Sequence, residues 1–526
     1  MNKNIYNKNL QTVLHYHETT KHSQLRYANS LGYLDWSNQP DPFRTYNGTN
    51  TITLPIAMKN STPPYSMLDE VLPTAPLVIE SLSQLLQFSM GLAAWKDSGD
   101  SSWAVRCNAS SGNLHPTETY LIMPTQFLDN SETTVYHYSP KNHELETLAS
   151  FQTDYFQTLE TGSFLVAFSS IVWREVWKYG ERAFRYSQLD VGHAIQALNV
   201  SAKLLGWNLS VCESISETEL SSLLGLNQSD RFFETESPDI LIMITPNKHS
   251  KKDHLNNLLQ HVPLKFDGIA NKLSTQMHTW DIIPQIEDAT QQVRSDKHFK
   301  PYNDFTSIKR VGTKESKDVI LNRRSIHVMD TKESFIPREQ FYTILNSISN
   351  NNRPQNNLAH LVIFVHRVKE LESGLYLLLR NENDKESLKT ETKSTFLWSE
   401  TSFKNLYLLE KNDYKISSKA LSCTQDIASD GAFSLGMLCN FSKTLHDDGT
   451  HKYKEIYWEC GAIGQQLYLE ATSLGLSGTG IGCFLDDTVH DILGLKNNLF
   501  QSMYHFTLGK GYVDSRIQTR PAYTRA

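Results

Sequence analysis

Two arginines, a serine and a histidine lie close together in the stretch Asn-Arg-Arg-Ser-Ile-His at residues 322–327. The planar guanidinium of arginine binds phosphate oxygens in pairs, and a serine hydroxyl can donate a further hydrogen bond. The stretch could therefore form a compact pocket for a phosphate monoester. Basic dipeptides are also common on solvated surfaces, so the rest of the chain has to decide between the two interpretations.

Composition bounds the class of this 526-residue chain. Its length exceeds one ordinary core, and we expect two domains of about 200 residues with connections. The net charge of −7 with no polybasic stripe argues against a nucleic-acid partner. No stretch approaches the roughly 20 apolar residues that span a bilayer, and the first residues lack the apolar core of a signal peptide. We therefore expect a cytoplasmic protein with no membrane partner.

The cysteines and the N-terminal histidines show no metal-ligand spacing. His15, His17 and His22 have no cysteine or carboxylate cluster close in sequence, so we interpret them as part of a surface segment and expect no metal. The six cysteines include no CxxC pair, which predicts reduced, mostly buried thiols at positions 107, 212, 423, 439, 460 and 483.

Apolar periodicity predicts the elements that position these residues. We expect helices near 80–94, 195–205, 428–437 and 456–474, and strands near 119–123, 164–168, 240–245, 361–365 and 504–508. Residues 248–315 are richer in polar residues and lack long apolar periodicity, which indicates a connecting region. The predicted organisation is an N-terminal segment (1–49), a first domain (50–247), the connecting region (248–315) and a second domain (316–526).

The helix that ends near Gly206 recurs 269 residues later. Two amphipathic helices can share a pattern by chance, but helical periodicity would not keep the same register through the following loop to Leu-Gly-Leu at 224–226 and 493–495. The repeat predicts one fold used twice, so that a single chain imitates a two-fold dimer. The matching helix positions are Gly192, Gln196, Leu198, Ala202, Leu205 and Gly206 with Gly461, Gln465, Leu467, Ala471, Leu474 and Gly475.

The two halves differ where chemistry is expected. Residues 64–68 of the first half stand opposite 323–327 and lack the cations, and residues 211–214 stand opposite 480–483 and lack the glycines. Conversely, the first-half loop 110–113 (Ser-Ser-Gly-Asn) has no equivalent in the second half, where an Asn-rich stretch takes its place. Complementary losses predict one composite site, with the cations and glycines of one half and the serine loop of the other.

The glycine run at 478–482 (Gly-Thr-Gly-Ile-Gly) has the composition of a dinucleotide-binding loop. The Rossmann fingerprint, however, follows a strand and opens a helix, whereas this run follows a predicted helix, so we reject that interpretation. The run is either a tight connection or a place where bare backbone approaches a planar ring. Together with a phosphate pocket, a backbone-lined plane suits flavin mononucleotide (FMN).

Four motifs of the chain resemble those of the FMN-dependent nitroreductase superfamily, and within it the SagB/ThcOx-type dehydrogenases that oxidise azolines to azoles in peptide natural products. The resemblance covers roughly residues 50–247 and 316–526. It implies an α+β fold with a central, mostly antiparallel sheet flanked by helices, duplicated in one chain as a pseudo-dimer that could be a monomer. The motifs are SSGNLHPTE at 110–118, KYGERAFRY at 178–186 followed by GH at 192, NRRSIH at 322–327 and TGIGCF at 479–484.

The resemblance also implies which residues bind one FMN per chain. In the family, the matching stretch lines the phosphate and ribityl chain, which implies that Arg323, Ser325 and His327 do so here. The backbone of Ile481, Gly482 and Cys483 would pass the isoalloxazine ring. The loop that the family takes from a partner subunit here supplies Ser110, Ser111 and Asn113.

Three positions qualify the resemblance. The family usually has arginine or lysine where this chain has His327, which predicts weaker or pH-sensitive phosphate binding. Gln425 lies near the place of a family amide that bonds the flavin ring. A C-terminal cation often completes the phosphate site, and either Arg516 or Arg520 could serve.

Lys178 and Tyr179 match the Lys-Tyr pair that the azoline dehydrogenases use beside the flavin. Dehydrogenation of a carbon–heteroatom ring needs a proton removed while a hydride goes to flavin N5, and a Lys or Tyr of lowered pKa can take that proton. The alternative is a helix entrance with a packed tyrosine and a solvated lysine.

Three functions are compatible with these residues. The first is a dehydrogenase of an azoline-like or other small heterocyclic or peptidic substrate. The second is a nitroreductase or quinone reductase that takes electrons from NAD(P)H. The third is a non-catalytic protein that binds or stores FMN, whose mark would be a flavin face blocked by the connecting region.

Overall fold

The structure of the chain is a computed structural model that describes residues 3–125, 127–247, 255–294, 299–302, 310, 312–349 and 357–524. The Asn-rich counterpart of the serine loop therefore lies almost entirely outside the described residues. Within the described residues, no helix is both long enough and apolar enough to cross a membrane.

The N-terminal segment, the first half and the connecting region contain both helices and strands. In chain order these are α1 (Lys3–Thr19), β1 (Tyr46–Asn47), β2 (Thr51–Thr53), α2 (Ile79–Ser89), β3 (Leu92–Ser98), β4 (Ser101–Arg106), β5 (Thr117–Met123), β6 (Thr133–Ser139), β7 (Glu144–Phe151), β8 (Phe164–Ser170), α3 (Trp173–Tyr179), α4 (Ala183–Lys203), β9 (Asn208–Cys212), α5 (Glu217–Leu224), β10 (Ser237–Thr245), α6 (Leu255–Leu259), β11 (Ile269–Ala270), α7 (Ile282–Ala289) and β12 (Phe299–Pro301).

The second half continues with the same kinds of element. They are α8 (Ser316–Asn322), β13 (Ile336–Pro337), α9 (Arg338–Asn346), β14 (Ala359–Val365), β15 (Val368–Lys369), β16 (Gly374–Leu378), α10 (Lys385–Glu391), β17 (Ser399–Glu400), β18 (Leu406–Lys411), α11 (Lys415–Leu421), α12 (Ile427–Asp430), β19 (Phe433–Asn440), α13 (Ser442–Asp448), α14 (Lys452–Ser473), β20 (Ser477–Ile481), α15 (Asp486–Leu493), β21 (Phe500–Gly509) and β22 (Gln518–Arg520).

Each half builds an antiparallel sheet with the same strand order. The first sheet contains β9-β10-β8-β5-β6-β7, and the second contains β20-β21-β19-β14-β16-β18 in the corresponding places. Strands β9 and β20 are themselves related by the offset of 269 residues. The same fold therefore occurs twice, as the sequence repeat predicts.

Helices α4 and α14 cross between the two sheets at two glycines that the repeat pairs. A Cβ atom added to Gly192 would collide with the backbone carbonyl of Trp458, and one added to Gly461 would collide with the carbonyl of Leu189. Leu189 and Trp458 are also 269 residues apart, so the two contacts are related by a pseudo-two-fold axis. The missing side chains let the helices approach closely, and apolar residues of both halves share one core cluster.

Two predicted elements differ from the structure. The helix predicted near 428–437 is instead the short α12 followed by β19, whose residues are all buried. A strand covered on both faces shows no alternation of apolar and polar residues, and small residues such as Gly436 hid it further. The helix predicted to reach Ala94 ends at Ser89, and β3 begins at Leu92.

The N-terminal segment is not a surface segment, which corrects the prediction. Helix α1 buries Val13, Tyr16 and His17. The His17 ring lies 3.2 Å from the Tyr453 hydroxyl and 3.1 Å from the Gln501 amide oxygen. The chain after α1 then passes over the end of α3.

Two late segments of the chain add strands to the first half. In the connecting region, β12 pairs with β9 and becomes the edge strand of the first sheet. Near the C-terminus, β22 pairs with β3, so that Arg520 lies opposite Trp95. Both pairings tie distant parts of the sequence to the first half.

Candidate functional site

The predicted phosphate clamp follows α8 and lies at the junction of the two halves. Arg323 is buried and donates hydrogen bonds of 3.0 Å to the carbonyl oxygens of both Cys107 and Arg106 in the first half. Ser325 forms an isolated bridge with Gly478, which brings the clamp beside β20. These contacts bring the cations of the second half to the chain segment that leads into the serine loop.

The Ser325 hydroxyl and the glycine run meet at a shared tyrosine. Ser325 Oγ lies 2.7 Å from the hydroxyl oxygen of Tyr468, and this oxygen accepts a 2.9 Å hydrogen bond from the backbone N–H of Gly480. Thr479 Oγ1 accepts a 2.9 Å bond from the N–H of Ile326. The clamp and β20 therefore form one connected unit.

Three cations, Arg323, Arg324 and Lys96, gather at this place. The Nε of Arg324 is buried and has no hydrogen-bond partner in the part of the chain that the structure describes, and Lys96 Nζ donates to Thr519 Oγ1 at 2.6 Å. Burial first, and Arg323 second, lower the pKa of Arg324 to about 10, and burial together with Arg324 lowers the pKa of Lys96. Within the described residues, Arg323, Arg324 and Lys96 form no ion pair with a carboxylate. Uncompensated cations of this kind favour a bound anion.

The serine loop lies above a buried carboxyl group. Ser111 donates to Asp190 through its N–H at 3.0 Å and through its Oγ at 3.0 Å. Asn113 adopts φ 60°, and its Nδ2 donates to the carbonyl of Ala104 at 2.8 Å. Burial raises the pKa of Asp190 to about 7, and the hydrogen bonds from the loop offset part of that rise.

Lys178 and Tyr179 meet the serine loop at Gly112. A Cβ atom added to Gly112 would lie 2.8 Å from the Tyr179 hydroxyl and 3.2 Å from Lys178 Nζ. Both polar atoms of the pair therefore touch the loop, and the glycine makes room for them. Lys178 and Tyr179 are both partly buried.

A second buried carboxyl group lies one helical turn before Lys178. Both carboxylate oxygens of Glu175 are buried and have no hydrogen-bond partner among the described residues. Burial, with Asp190 as the next cause, raises the pKa of Glu175 well above its usual range. Burial first, and then Glu175, also raise the pKa of Tyr179. An apolar and acidic surrounding disfavours the phenolate, so of the Lys-Tyr pair Tyr179 is the less suited to take a proton.

Gly480 in β20 and Gly482 just after the strand lie against aromatic rings. A Cβ atom added to Gly480 would collide with the hydroxyl of Tyr504, and one added to Gly482 would collide with the ring of Tyr186. The Tyr186 ring lies 4.4 Å from that of Tyr179, measured between centroids. The run is thus neither a tight connection nor an open plane on this face, since it is an edge strand packed against tyrosines.

Gln425 and Cys483 are neighbours in the structure. Gln425 Nε2 donates to the carbonyl of Ser422 at 2.9 Å and to that of Cys483 at 3.4 Å. Cys423 and Cys483 form a disulfide with a Cα–Cα distance of 5.9 Å. The prediction of six reduced thiols is wrong for this pair, because 60 residues of sequence separate two cysteines that the fold brings together. Among the described residues, the other four cysteines are buried and form no disulfide.

Three predicted site residues are not brought into the clamp. His327 is exposed. Arg516 is exposed and pairs with Asp514, and Arg520 pairs with Asp97 on β3. The C-terminal strand does reach the cations, but it contributes Thr519 rather than either arginine.

The place related to this site by the pseudo-two-fold axis is filled by protein. Tyr65, the counterpart of Arg324, is buried and accepts a hydrogen bond of 3.2 Å from Gln466. Arg310 of the connecting region lies over the Tyr65 ring and pairs with Glu470 at 3.0 Å. Tyr302 donates to Gln196 at 3.1 Å. The described connecting residues therefore occupy the counterpart place.

A family profile described as Nitroreductase family matches the sequence at residues 67–233 and 320–510, which is most of both halves. The chain belongs to the nitroreductase family. The fold agrees with this: a protein from Anabaena variabilis, described as a candidate nitroreductase, has a TM-score of 0.69 with 20% identity, over 95% of this chain and 99% of that one.

Two relatives of this nitroreductase-family chain match shorter stretches. The trifolitoxin-processing protein TfxB of Rhizobium leguminosarum bv. trifolii is 26% identical over 192 residues, which are 33% of this chain and 50% of that protein. A candidate nitroreductase of Methanocaldococcus jannaschii is 35% identical over 57 residues, 11% of this chain and 29% of that one. The chain thus spans half the length of the first relative and less of the second.

Several residues of the site escaped the sequence reasoning. Asp190 and Glu175 were missed because a sequence does not show that a carboxylate is buried. Lys96 was missed because its strand pairs with the distant C-terminus. Tyr186 ends the KYGERAFRY motif, and Tyr468 lies in the repeated helix, so these two tyrosines carried a signal.

Proposed function

We propose that this nitroreductase-family chain is an FMN-dependent oxidoreductase with one FMN site, built from both halves. The observation that carries the proposal is the group of Arg323, Arg324 and Lys96, which has no carboxylate partner among the described residues and adjoins the serine loop. The buried Arg324 Nε suits a phosphate oxygen, because arginine binds phosphate through several donors. The filled counterpart place supports one FMN per chain and a pseudo-dimer that needs no second copy.

FMN bound here would supply reversible hydride acceptance, which no side chain provides. Arg323, Arg324 and Lys96 would hold the phosphate, while Ser110, Ser111 and Asn113 would face the cofactor from the first half. Ile481, Gly482 and Cys483 would contribute backbone groups, with the Gln425 amide beside them. His327, Arg516 and Arg520 are less favoured as phosphate ligands, because the structure leaves the first exposed and pairs the other two with aspartates.

We propose dehydrogenation of an azoline-like or other small heterocyclic or peptidic substrate as the reaction. Lys178 Nζ is the atom positioned to take the substrate proton, since it lies at the serine loop. The Tyr179 hydroxyl, whose pKa is raised, stays protonated and can donate a hydrogen bond to a substrate heteroatom. Similarity to a protein named for trifolitoxin processing supports a peptide substrate.

Reduction of nitro compounds or quinones with NAD(P)H is the second candidate, because the chain belongs to the nitroreductase family. The FMN-storage alternative is less favoured. Its mark would be a blocked flavin face, and the described connecting residues cover the counterpart place instead.

The first experiment measures FMN stoichiometry and affinity in the purified full-length protein. We expect about one FMN per chain, and Arg324→Ala should weaken FMN binding by roughly 10- to 100-fold, because a hydrogen bond to a charged group contributes about 1.5–3 kcal/mol. Arg516→Ala is the matched control and should leave the affinity unchanged. Two FMN per chain, or equal affinity in both variants, would contradict the composite site.

The second experiment tests the reaction with FMN-loaded protein. Lys178→Ala should abolish reduction of the flavin by azoline-containing peptides while FMN stays bound, as followed by the flavin absorbance under anaerobic conditions. Rapid bleaching by NADPH, at an equal rate in wild type and Lys178→Ala, would favour the reductase instead.

A further inference from the structure

Three potential metal ligands converge beside the end of β20. The Nδ1 of His22 and the Sγ atoms of Cys423 and Cys483 all lie within 4.8 Å of one another. They come from the N-terminal segment, the loop before α12 and the residue that follows Gly482. Sequence spacing could not show this cluster, because His22 and Cys483 are 461 residues apart.

The distances suit a tetrahedral zinc site. With Zn–S of about 2.3 Å and Zn–N of about 2.0 Å, tetrahedral geometry places a nitrogen and a sulfur ligand about 3.6 Å apart and two sulfurs about 3.8 Å apart. His22 Nδ1 lies 3.7 Å from Cys483 Sγ. The two sulfurs, now bonded, would need to separate by only about 2 Å.

Backbone conformation and hydrogen bonds position two of the three ligands, Cys423 and His22. Cys423 and Thr424 adopt φ values of 52° and 60°, a left-handed conformation that is uncommon for non-glycine residues and that clusters at functional sites. The backbone of His22 exchanges two hydrogen bonds with Asp486, at 2.9 and 3.0 Å. Arg182 and Arg185 pair with Asp486 in turn. The imidazole is therefore held beside the cysteines whether or not they are bonded.

We propose that, after reduction of the Cys423–Cys483 disulfide, His22, Cys423 and Cys483 bind one Zn²⁺ with a fourth position open to water. A dithiol or phosphine reductant supplies two electrons, the S–S bond breaks, and two protons from solvent give two thiols. Zn²⁺ then displaces these two protons and forms two Zn–S bonds and one Zn–N bond. Disulfide and zinc are alternative links between the N-terminal segment and the end of β20.

The chain contains an internal control for this proposal. Cys439 and Cys460 also bring two sulfur atoms together, 3.6 Å apart, in the core of the second half. Among the described residues, neither of them belongs to a group of three potential metal ligands. If any close pair of thiols captured zinc, these two would do so equally well.

The test uses the full-length protein before and after treatment with a phosphine reductant, with metal counted by mass spectrometry after removal of free Zn²⁺. We expect about one Zn²⁺ per chain after reduction and none before. His22→Ala, Cys423→Ser and Cys483→Ser should each weaken binding by at least about tenfold, since loss even of an outer-shell partner costs that much. The Cys439→Ser/Cys460→Ser variant should bind as wild type does.

A readout on the unmutated chain covers the case in which a variant misfolds. Zn²⁺ should protect Cys423 and Cys483 of the reduced protein from alkylation, as mapped by peptide mass spectrometry, and Co²⁺ should give a thiolate charge-transfer band. Reduced protein that holds no metal, alkylates both cysteines at the same rate with and without Zn²⁺, or loses metal only in the Cys439/Cys460 variant would overturn the proposal. None of these measurements requires bound FMN.

Discussion

Asp190 contributes both to the candidate site and to the stability of the fold. Its side chain holds the serine loop through Ser111, yet it lies buried beside another carboxyl group, Glu175. Tyr179 lies in the same surrounding. The carboxyl and phenol groups around Lys178 have raised pKa values, so they keep their protons to a higher pH than exposed groups do. The charge of the site should therefore depend on pH.

The stability of the protein should depend on pH through Asp190. Its pKa is about 7 in the folded chain and about 4 in an unfolded one. Between these values the unfolded chain has released a proton that the folded chain retains, so the free energy of unfolding falls as pH rises through this window. Relative to Asp190→Asn, wild type should lose on the order of 3 kcal/mol between pH 4 and pH 8.

Urea unfolding of both proteins at several pH values measures this difference. The exposed substitution Asp230→Asn is a control and should follow the wild-type curve. Parallel curves for wild type and Asp190→Asn across the window would show that Asp190 is ionised in the folded protein.

At the scale of elements, α4 and α14 cross closely because Gly192 and Gly461 have no side chains at the contact. Gly192→Ala should lower the free energy of unfolding by about 1–3 kcal/mol or more, because the new methyl group meets the backbone of Trp458, which cannot rotate away. Gly464→Ala is a graded control within α14: its Cβ would lie 2.8 Å from the imidazole of His193, a side chain that can shift. Thermal unfolding that ranks Gly464→Ala as the more damaging change would contradict this account of the crossing.

Sequence patterns predicted the elements that carry a period or a repeat. The shared register of the helices containing Gly192 and Gly461 predicted both the duplicated fold and its pseudo-symmetry. Strand β19 was missed because burial on both faces removes the alternation that marks a strand. The glycine run was not predicted to be a strand, because no sequence feature shows that Tyr504 and Tyr186 lie against it.

For the site as well, sequence motifs predict some residues, whereas contacts between distant segments determine the others. Motifs predicted Arg323 and Ser110 as parts of one composite site, because family resemblance and the complementary losses agreed, and the resemblance alone added Lys178. The disulfide, Lys96 and the buried carboxyls depend on which distant segments the fold brings together, and a single sequence does not contain that information.

At the scale of the whole molecule, both halves should unfold together. The largest apolar cluster joins residues of the N-terminal helix, the first half, the connecting region and the second half. β22 and β12 add further links across the sequence. We expect one urea transition, with coincident curves from circular dichroism and tryptophan fluorescence. Two separated transitions would show that each half has an independent core.

Protein fills the place that the pseudo-two-fold axis relates to the candidate site. This difference between the halves affects how such a chain can evolve. In a homodimer with two identical sites, one codon serves both copies, so every substitution is tested in both roles at once. Here Tyr65 and Arg324 occupy related places but are encoded separately. The first can be selected for packing and the second for charge, and neither choice constrains the other. A single chain with two halves can thus change each of the two related places by its own substitution.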